Sequence, residues 1–177
     1  WARQAAPLRG KLAIQPDGLA DGHWINFMNK IDQVLQKASE SCEKTGSKLT
    51  EKRKRVFVCL LKSEKPLSAY EIADSVRTEY DETVPAMSVY RMLDFLEQEN
   101  LVHKLKSTNK FVACSHIACN HAHDVPQFLI CDNCGTVKEI GIKREVIDVL
   151  TSSVENAGYR LKSPQLELHC LCEACAG

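Results

Sequence analysis

Long apolar runs are missing from this 177-residue chain. No stretch approaches the ~18 consecutive apolar residues of a membrane span, which excludes a helical membrane protein and predicts no membrane partner. Net charge is missing too, with 23 Lys and Arg against 23 Asp and Glu. The balance is uneven along the chain. Residues 28–110 hold 15 basic against 13 acidic side chains, a net of +2, and residues 111–177 hold 5 against 8, a net of −3. That asymmetry permits a nucleic-acid-binding first part. There is no low-complexity tract, and 44% hydrophobic with 26% charged residues excludes disorder throughout. No secretory signal accompanies the nine cysteines. A reducing, cytoplasmic compartment is therefore expected, where metal ligation or redox chemistry is favoured over disulfides. No nucleophile–base pair is visible, which speaks against a zinc-dependent or thiol-redox enzyme, the rival of a different class. Residues 1–27 lack a periodic apolar face and are expected to be a non-native or flexible extension outside the fold.

What the chain does have is patterned cysteine. Cys131-x-x-Cys134 sits at the end of an apolar run, and Cys172-x-x-Cys175 comes after it with 37 residues between the pairs. Each tight turn can present two thiolates, and four thiolates at tetrahedral angles suit Zn²⁺. Redox Cys-x-x-Cys motifs usually come singly beside a helix start, so a structural zinc clip is the favoured reading. Between the pairs' first member and Cys114 lies a loop dense in metal-capable groups, SHIACNHAHDV.

Apolar periodicity orders the rest. Residues 29–42 carry Ile31, Val34, Leu35 and Ala38 at helical spacing, with Gly46 as C-cap. Thr50 is expected to cap a second helix with Val56, Phe57, Leu60 and Leu61 inward and the basic run 52–55 outward. Ser68 and Glu71 have capping-box spacing at the start of a third helix reaching Tyr80. A fourth helix from about Met87 has Val89, Leu93 and Leu96 as its inner stripe. Two alternating runs, LVHKLKS and KFVACS, then form a hairpin, the wing of a winged helix-turn-helix. The fourth helix is expected in the major groove, with Arg91 at a base edge and the wing and basic run at phosphates. A hairpin around the first cysteine pair, a helix over residues 143–156 with Val146, Ile147, Leu150 and Val154 on one face, and further strands make a small α+β unit. Its sheet edge would favour dimerisation. The expected division is 28–112 for DNA binding, 113–127 for a metal-binding hinge loop and 128–177 for dimerisation. Cys42 and Cys59 fall on core faces, while Cys119, Cys170 and His116 stay unassigned.

The order of SAYEIADSVR, VYRMLDFL, VHKLKSTN, CDNCGTVKE and LHCLCEAC resembles the ferric uptake regulator family, and within it most nearly the zinc uptake regulators. The resemblance implies a zinc-responsive repressor of zinc uptake genes. It would bind double-stranded operator DNA as a homodimer, with one structural and at least one regulatory Zn²⁺ per subunit. It implies that Cys131, Cys134, Cys172 and Cys175 hold the structural zinc, and that His103, Cys114, a histidine of the HAHD loop and Glu139 hold the regulatory one. His123 is preferred to His121 for that loop ligand. In several relatives the alternate histidine joins a third site, here His121, Glu139 and His169. DNA contacts would come from Tyr70, Ser88, Tyr90, Arg91, Lys52 and Arg53, and contacts between neighbouring dimers from Asp74 and Arg77. Tyr70 is equally readable as packing. The thiolate of Cys114 is soft, which favours Zn²⁺ over Fe²⁺ or Mn²⁺. An iron- or peroxide-responsive repressor of the same family is the nearest rival.

Overall fold

The computed structural model describes residues 21–117 and 125–177, with side chains from residue 29 onward. Four helices come first: α1 (Asp21–Lys44), α2 (Glu51–Lys62), α3 (Ala69–Tyr80) and α4 (Ala86–Gln98). The wing follows as β1 (Val102–Leu105) and β2 (Lys110–Ala113), paired antiparallel. Then come β3 (Val125–Cys131), β4 (Val137–Ile142), α5 (Arg144–Asn156), β5 (Glu167–Cys170) and the short α6 (Glu173–Ala176). The second sheet has the order β4-β3-β5, antiparallel between β3 and β4 and parallel between β3 and β5. The fold is α+β, a winged helix-turn-helix followed by a small α/β unit.

Local chemistry explains most boundaries. Ser68 accepts from the Glu71 N–H at 3.3 Å, and the Glu71 carboxylate accepts from the Ser68 N–H at 2.6 Å. Both orphan donors at the start of α3 are thereby satisfied. Gly46 takes φ +74° just after α1, where the Ser47 N–H reaches back to the Cys42 carbonyl at 2.8 Å, a left-handed cap that favours glycine. Two expectations need correction. Thr50 sits at the N-cap of α2 but its side chain makes no cap hydrogen bond; Glu51 in the first turn complements the helix dipole instead. Helix α1 also starts eight residues before the expected Asn29, so residues 21–27 have helical backbone.

The helical core gathers Val56, Phe57, Leu60, Ile72, Val76, Val89, Leu93 and Leu96, with Cys42 and Cys59 buried as expected. The wing joins this core and a second one because side chains alternate along a strand. Val102 and Phe111 lie in the helical core. Leu105 turns the other way, with Val112 packed beside it, onto Phe128, Ile130 and Val137 of the second sheet. One hairpin is thus the mortar between two units. Of the apolar face expected on α5, Ile147 is buried, Leu150 and Val154 are half-buried and Val146 is 55% exposed; Val149, outside that face, is 68% exposed. Among the described residues no helix is long and apolar enough to cross a membrane.

Candidate metal centres and nucleic-acid interface

Strand β3 delivers Cys131, and a turn with Gly135 at φ +73° brings Cys134 back beside it. The turn is closed by the Gly135 N–H on the Cys131 carbonyl (2.9 Å) and the Cys131 N–H on the Thr136 carbonyl (3.0 Å). The parallel strand β5, in register Cys131↔Cys170, carries the chain on to Cys172. One turn of α6 then supplies Cys175, whose N–H bonds the Cys172 carbonyl at 2.9 Å. The four sulfurs lie within 4.8 Å of one another, Cys134 and Cys172 being 3.7 Å apart. Backbone N–H groups of Cys134 and then Cys172 pull the Cys131 thiol down to about 6, and the Thr136 hydroxyl pulls Cys134 down. Cys175 goes the other way: an Asn133 hydrogen bond lowers it, but the adjoining thiols, Cys172 foremost, drive it up to about 12. Four crowded sulfurs cannot all be thiolates by themselves; a divalent cation removes that conflict. The donor set fits Zn²⁺.

The second group lies between the units. His103 is on β1, on the same strand face as Leu105, and its ring lies 5.4 Å from Phe128. Cys114 follows β2, anchored by its N–H on the Leu101 carbonyl at 3.0 Å. Glu139 on β4 is the cross-strand partner of Phe128 and so faces the wing. Their ligand atoms lie within 4.8 Å of one another. The Glu139 side chain is only 6% exposed. Among the described residues His103 Nε2 is buried with no hydrogen-bond partner, its 3.5 Å approach to Glu139 being an ion-pair contact without hydrogen-bond alignment. Burial would lower the His103 pKa, but Cys114 and Glu139 raise it to about 9. Burial would raise that of Glu139, but His103 and the Ser115 N–H hold it at about 2. An orphaned imidazole nitrogen beside a thiol and a buried carboxylate fits a bound Zn²⁺, which supplies the missing partner.

Three predicted ligands meet here; His121 and His123 lie outside the described residues. A residue left unassigned from sequence also enters. His116 Nδ1 is 2.9 Å from Glu139 Oε1, while the Ser115 N–H and hydroxyl donate to Oε2 at 2.8 and 2.9 Å. Its place at the start of the histidine-rich loop, two residues past Cys114, was the available signal. The third grouping does not assemble among the described residues. Glu139 is on β4 and His169 on β5, at opposite edges of the sheet with β3 between, and His169 Nδ1 instead contacts Asp132 at 2.6 Å.

The nucleic-acid face is built on α3 and α4. Tyr70 is 67% exposed and stands edge-on to Tyr90 at 6.5 Å, which in turn stands edge-on to Phe111. Tyr70 is therefore displayed, not packed away. Ser88 is half-buried in the first turn of α4 and Arg91 is exposed one helical step beyond. Asp74 and Arg77 form an exposed ion pair along α3 at 2.8 Å. The basic run is more engaged than expected. Lys52 and Arg55 both pair with Glu82, and Arg53 stacks 3.5 Å over Phe95 and bonds the Lys48 carbonyl. The wing turn, expected at phosphates, is docked by its backbone on Glu167.

The sequence matches the Ferric uptake regulator family over residues 44–169. It is 34% identical to the zinc uptake regulation protein of Escherichia coli strain K12 over 143 residues, 81% of each chain. The crystal structure of holo XcZur is similar at 37% identity and a TM-score of 0.68, covering 82% of this chain and 98% of that one. A zinc uptake regulator complexed with zinc and DNA is similar at 30% identity and a TM-score of 0.71, covering 82% and 95%.

Proposed function

The chain belongs to the ferric uptake regulator family, and on that premise we propose that it is a zinc-responsive transcriptional repressor. The observation that carries this reading is the buried group of His103, Cys114 and Glu139, which draws ligands from both the wing and the second sheet and leaves His103 Nε2 without a hydrogen-bond partner among the described residues. Zinc bound there would bridge the two units, and the sulfur donor favours it over Fe²⁺ or Mn²⁺. His123 is the proposed loop ligand. The four cysteines hold a second, structural Zn²⁺. Zinc sensing is further supported by the name of the E. coli relative and by the similar regulator complexed with zinc and DNA. Family membership, rather than the look of either site, sets the enzyme reading aside.

The protein acts in the cytoplasm as a homodimer on double-stranded operator DNA. Val146, Val149, Leu168 and Leu171 on α5, β5 and the segment after it are exposed apolar side chains that a second copy would cover. Residues 28–112 bind DNA, 113–127 form the hinge and 128–177 pair the subunits. Arg91 reads a base edge, with Tyr70, Ser88 and Tyr90 beside it; Lys52, and Arg53 on release from Phe95, lie toward the backbone. The exposed Asp74–Arg77 pair can exchange partners with a neighbouring dimer. The angle between the units sets the separation of the two reading helices, which must match half-sites about one DNA turn apart.

The test is binding to the promoters of zinc transporter genes, followed by fluorescence anisotropy with and without zinc. Cys114→Ser should fold, keep the structural zinc and lose the zinc response; Arg91→Ala should lose specific binding. A Cys114→Ser variant that responds to zinc like the wild type would overturn the assignment.

A further inference from the structure

The face of the second sheet that meets the wing carries two carboxylates, and the repressor reading uses only one. Glu139 on β4 and Glu167 on β5 are both register partners of Phe128 on β3. Side chains opposite one another on neighbouring strands share a face, so Glu139, Phe128 and Glu167 form a row across the sheet. Two strand spacings separate its ends by roughly 10 Å. Strand β1 crosses this row. At one end His103 lies over Phe128 and against Glu139. At the other, just past Leu105, the Lys106 N–H donates to Glu167 Oε1 at 2.6 Å and the Ser107 N–H to Oε2 at 2.9 Å. Leu105 is fully buried between them.

The Glu167 end is built to be stiff. The Gln165 side-chain N–H donates to the Lys104 carbonyl at 2.9 Å, adding a third bond along the outer edge of β1. Fully buried Gln127 fixes the backbone on both sides of Gln165, donating to the Pro164 carbonyl at 3.0 Å and accepting from the Leu166 N–H at 2.6 Å. Burial would raise the Glu167 carboxyl, yet donors from Ser107 and Lys106 hold it below the ordinary carboxylate range. Two backbone N–H groups in a turn would otherwise suit a phosphate; here they are spent inside the chain. The wing turn thereby acts as a strut between units.

We propose that Glu167 is a positioning residue for DNA binding: its grip on the wing turn is the metal-independent end of the joint, about which loading of the His103, Cys114 and Glu139 site sets the angle of the DNA-reading unit. One attachment leaves a strand free to pivot, whereas two attachments on opposite sides of Phe128 define its direction. This inference rests on the repressor reading. It assigns coupling, not zinc binding, to Glu167.

The experiment compares wild type, Glu167→Gln and Glu167→Asp on a duplex enriched from random DNA by the zinc-loaded wild-type chain. Zinc stoichiometry, hydrogen exchange at the Lys106 and Ser107 amides, and the ratio of DNA affinities with and without zinc at the interdomain site are measured together. Glu167→Gln keeps the size but turns a donor toward one backbone N–H, and Glu167→Asp keeps the charge but cannot reach. Both should bind zinc in wild-type stoichiometry and exchange faster at the two amides. Their affinity ratio should fall from the ~5–150-fold expected of such coupling to within about threefold of unity. An unchanged ratio in both variants overturns the proposal, as does loss of interdomain zinc together with the ratio, which would make Glu167 a structural support only. A wild-type ratio of unity would instead fail the repressor reading and take this inference with it.

Discussion

Leu105→Ala isolates the apolar joint from the metal ligands. Leu105 is fully buried, and it packs with Phe128, Ile130, Val112 and Val137 outside the helical core. Truncating a buried Leu to Ala costs about 2–5 kcal/mol, according to how far the site collapses. Most of that loss falls on docking between the units, because neither unit's own interior contains this side chain. The joint is small, so the undocked form becomes populated, and ligands split between β1 and β4 no longer converge. Each 1.4 kcal/mol is a factor of ten, and the apparent affinity drops by the fraction of molecules competent to bind. Part of the loss only uses up the wild-type preference for the docked form, so zinc affinity at the interdomain site should weaken by less than the full ratio, roughly 10- to 100-fold. The assay is zinc competition against a chelator of known affinity, with the four-cysteine site already filled. Leu93→Ala, fully buried in the helical core, is the control: it should lower thermal stability comparably and leave zinc affinity near wild type. Should Leu105→Ala lose stability but bind interdomain zinc within about threefold of wild type, the joint does not assemble the site and the reasoning fails.

Two further outcomes follow from single features. Cys131→Ser should lose the structural zinc and, with it, the connection between the end of β3 and the segment after β5, read as loss of dimer in sedimentation and of cooperative unfolding of the second unit; a dimer that unfolds like wild type would contradict the clip. Glu71, held at about 2 by the Ser68 backbone N–H, the Ser68 hydroxyl and Lys110, has a folded pKa below its ordinary 4.5, so its contribution is present above pH 4.5 and lost as pH falls toward 2. Glu71→Ala should cost about 1 kcal/mol at neutral pH, little of it from the half-exposed Lys110 pair, and the gap to wild type in urea titrations should close across that window.

The helices were legible because their signals are local. Ser68 and Glu71 announce the start of α3, and the 3.6-residue stripe of Val89, Leu93 and Leu96 returns as the buried face of α4. The four cysteines were legible because zinc chemistry restricts spacing within each pair. Long-range register was not. That Glu139 and Glu167 flank one phenylalanine depends on an antiparallel and a parallel pairing, neither of which leaves a mark within a short window. The wing's alternation was visible, but which face met which core was not, so the docking of its turn on Glu167 left no sign in the sequence. Arg53 illustrates the same limit: a basic run reads as solvated until Phe95, on another helix, takes one of its cations. On α5 the expected apolar face of Val146, Ile147, Leu150 and Val154 gave no sign that Ile147 would be buried while Val146 stays 55% exposed among the described residues.

The central claim is that zinc at His103, Cys114 and Glu139 governs DNA binding. The most direct measurement starts from protein that keeps only the four-cysteine zinc and titrates Zn²⁺, Fe²⁺ and Mn²⁺ separately while promoter binding is followed. Zn²⁺ should raise affinity by about 5–150-fold at free concentrations where Fe²⁺ and Mn²⁺ do nothing. Restoration by Fe²⁺ or Mn²⁺ with no response to Zn²⁺ would contradict the account and favour the iron- or peroxide-responsive alternative.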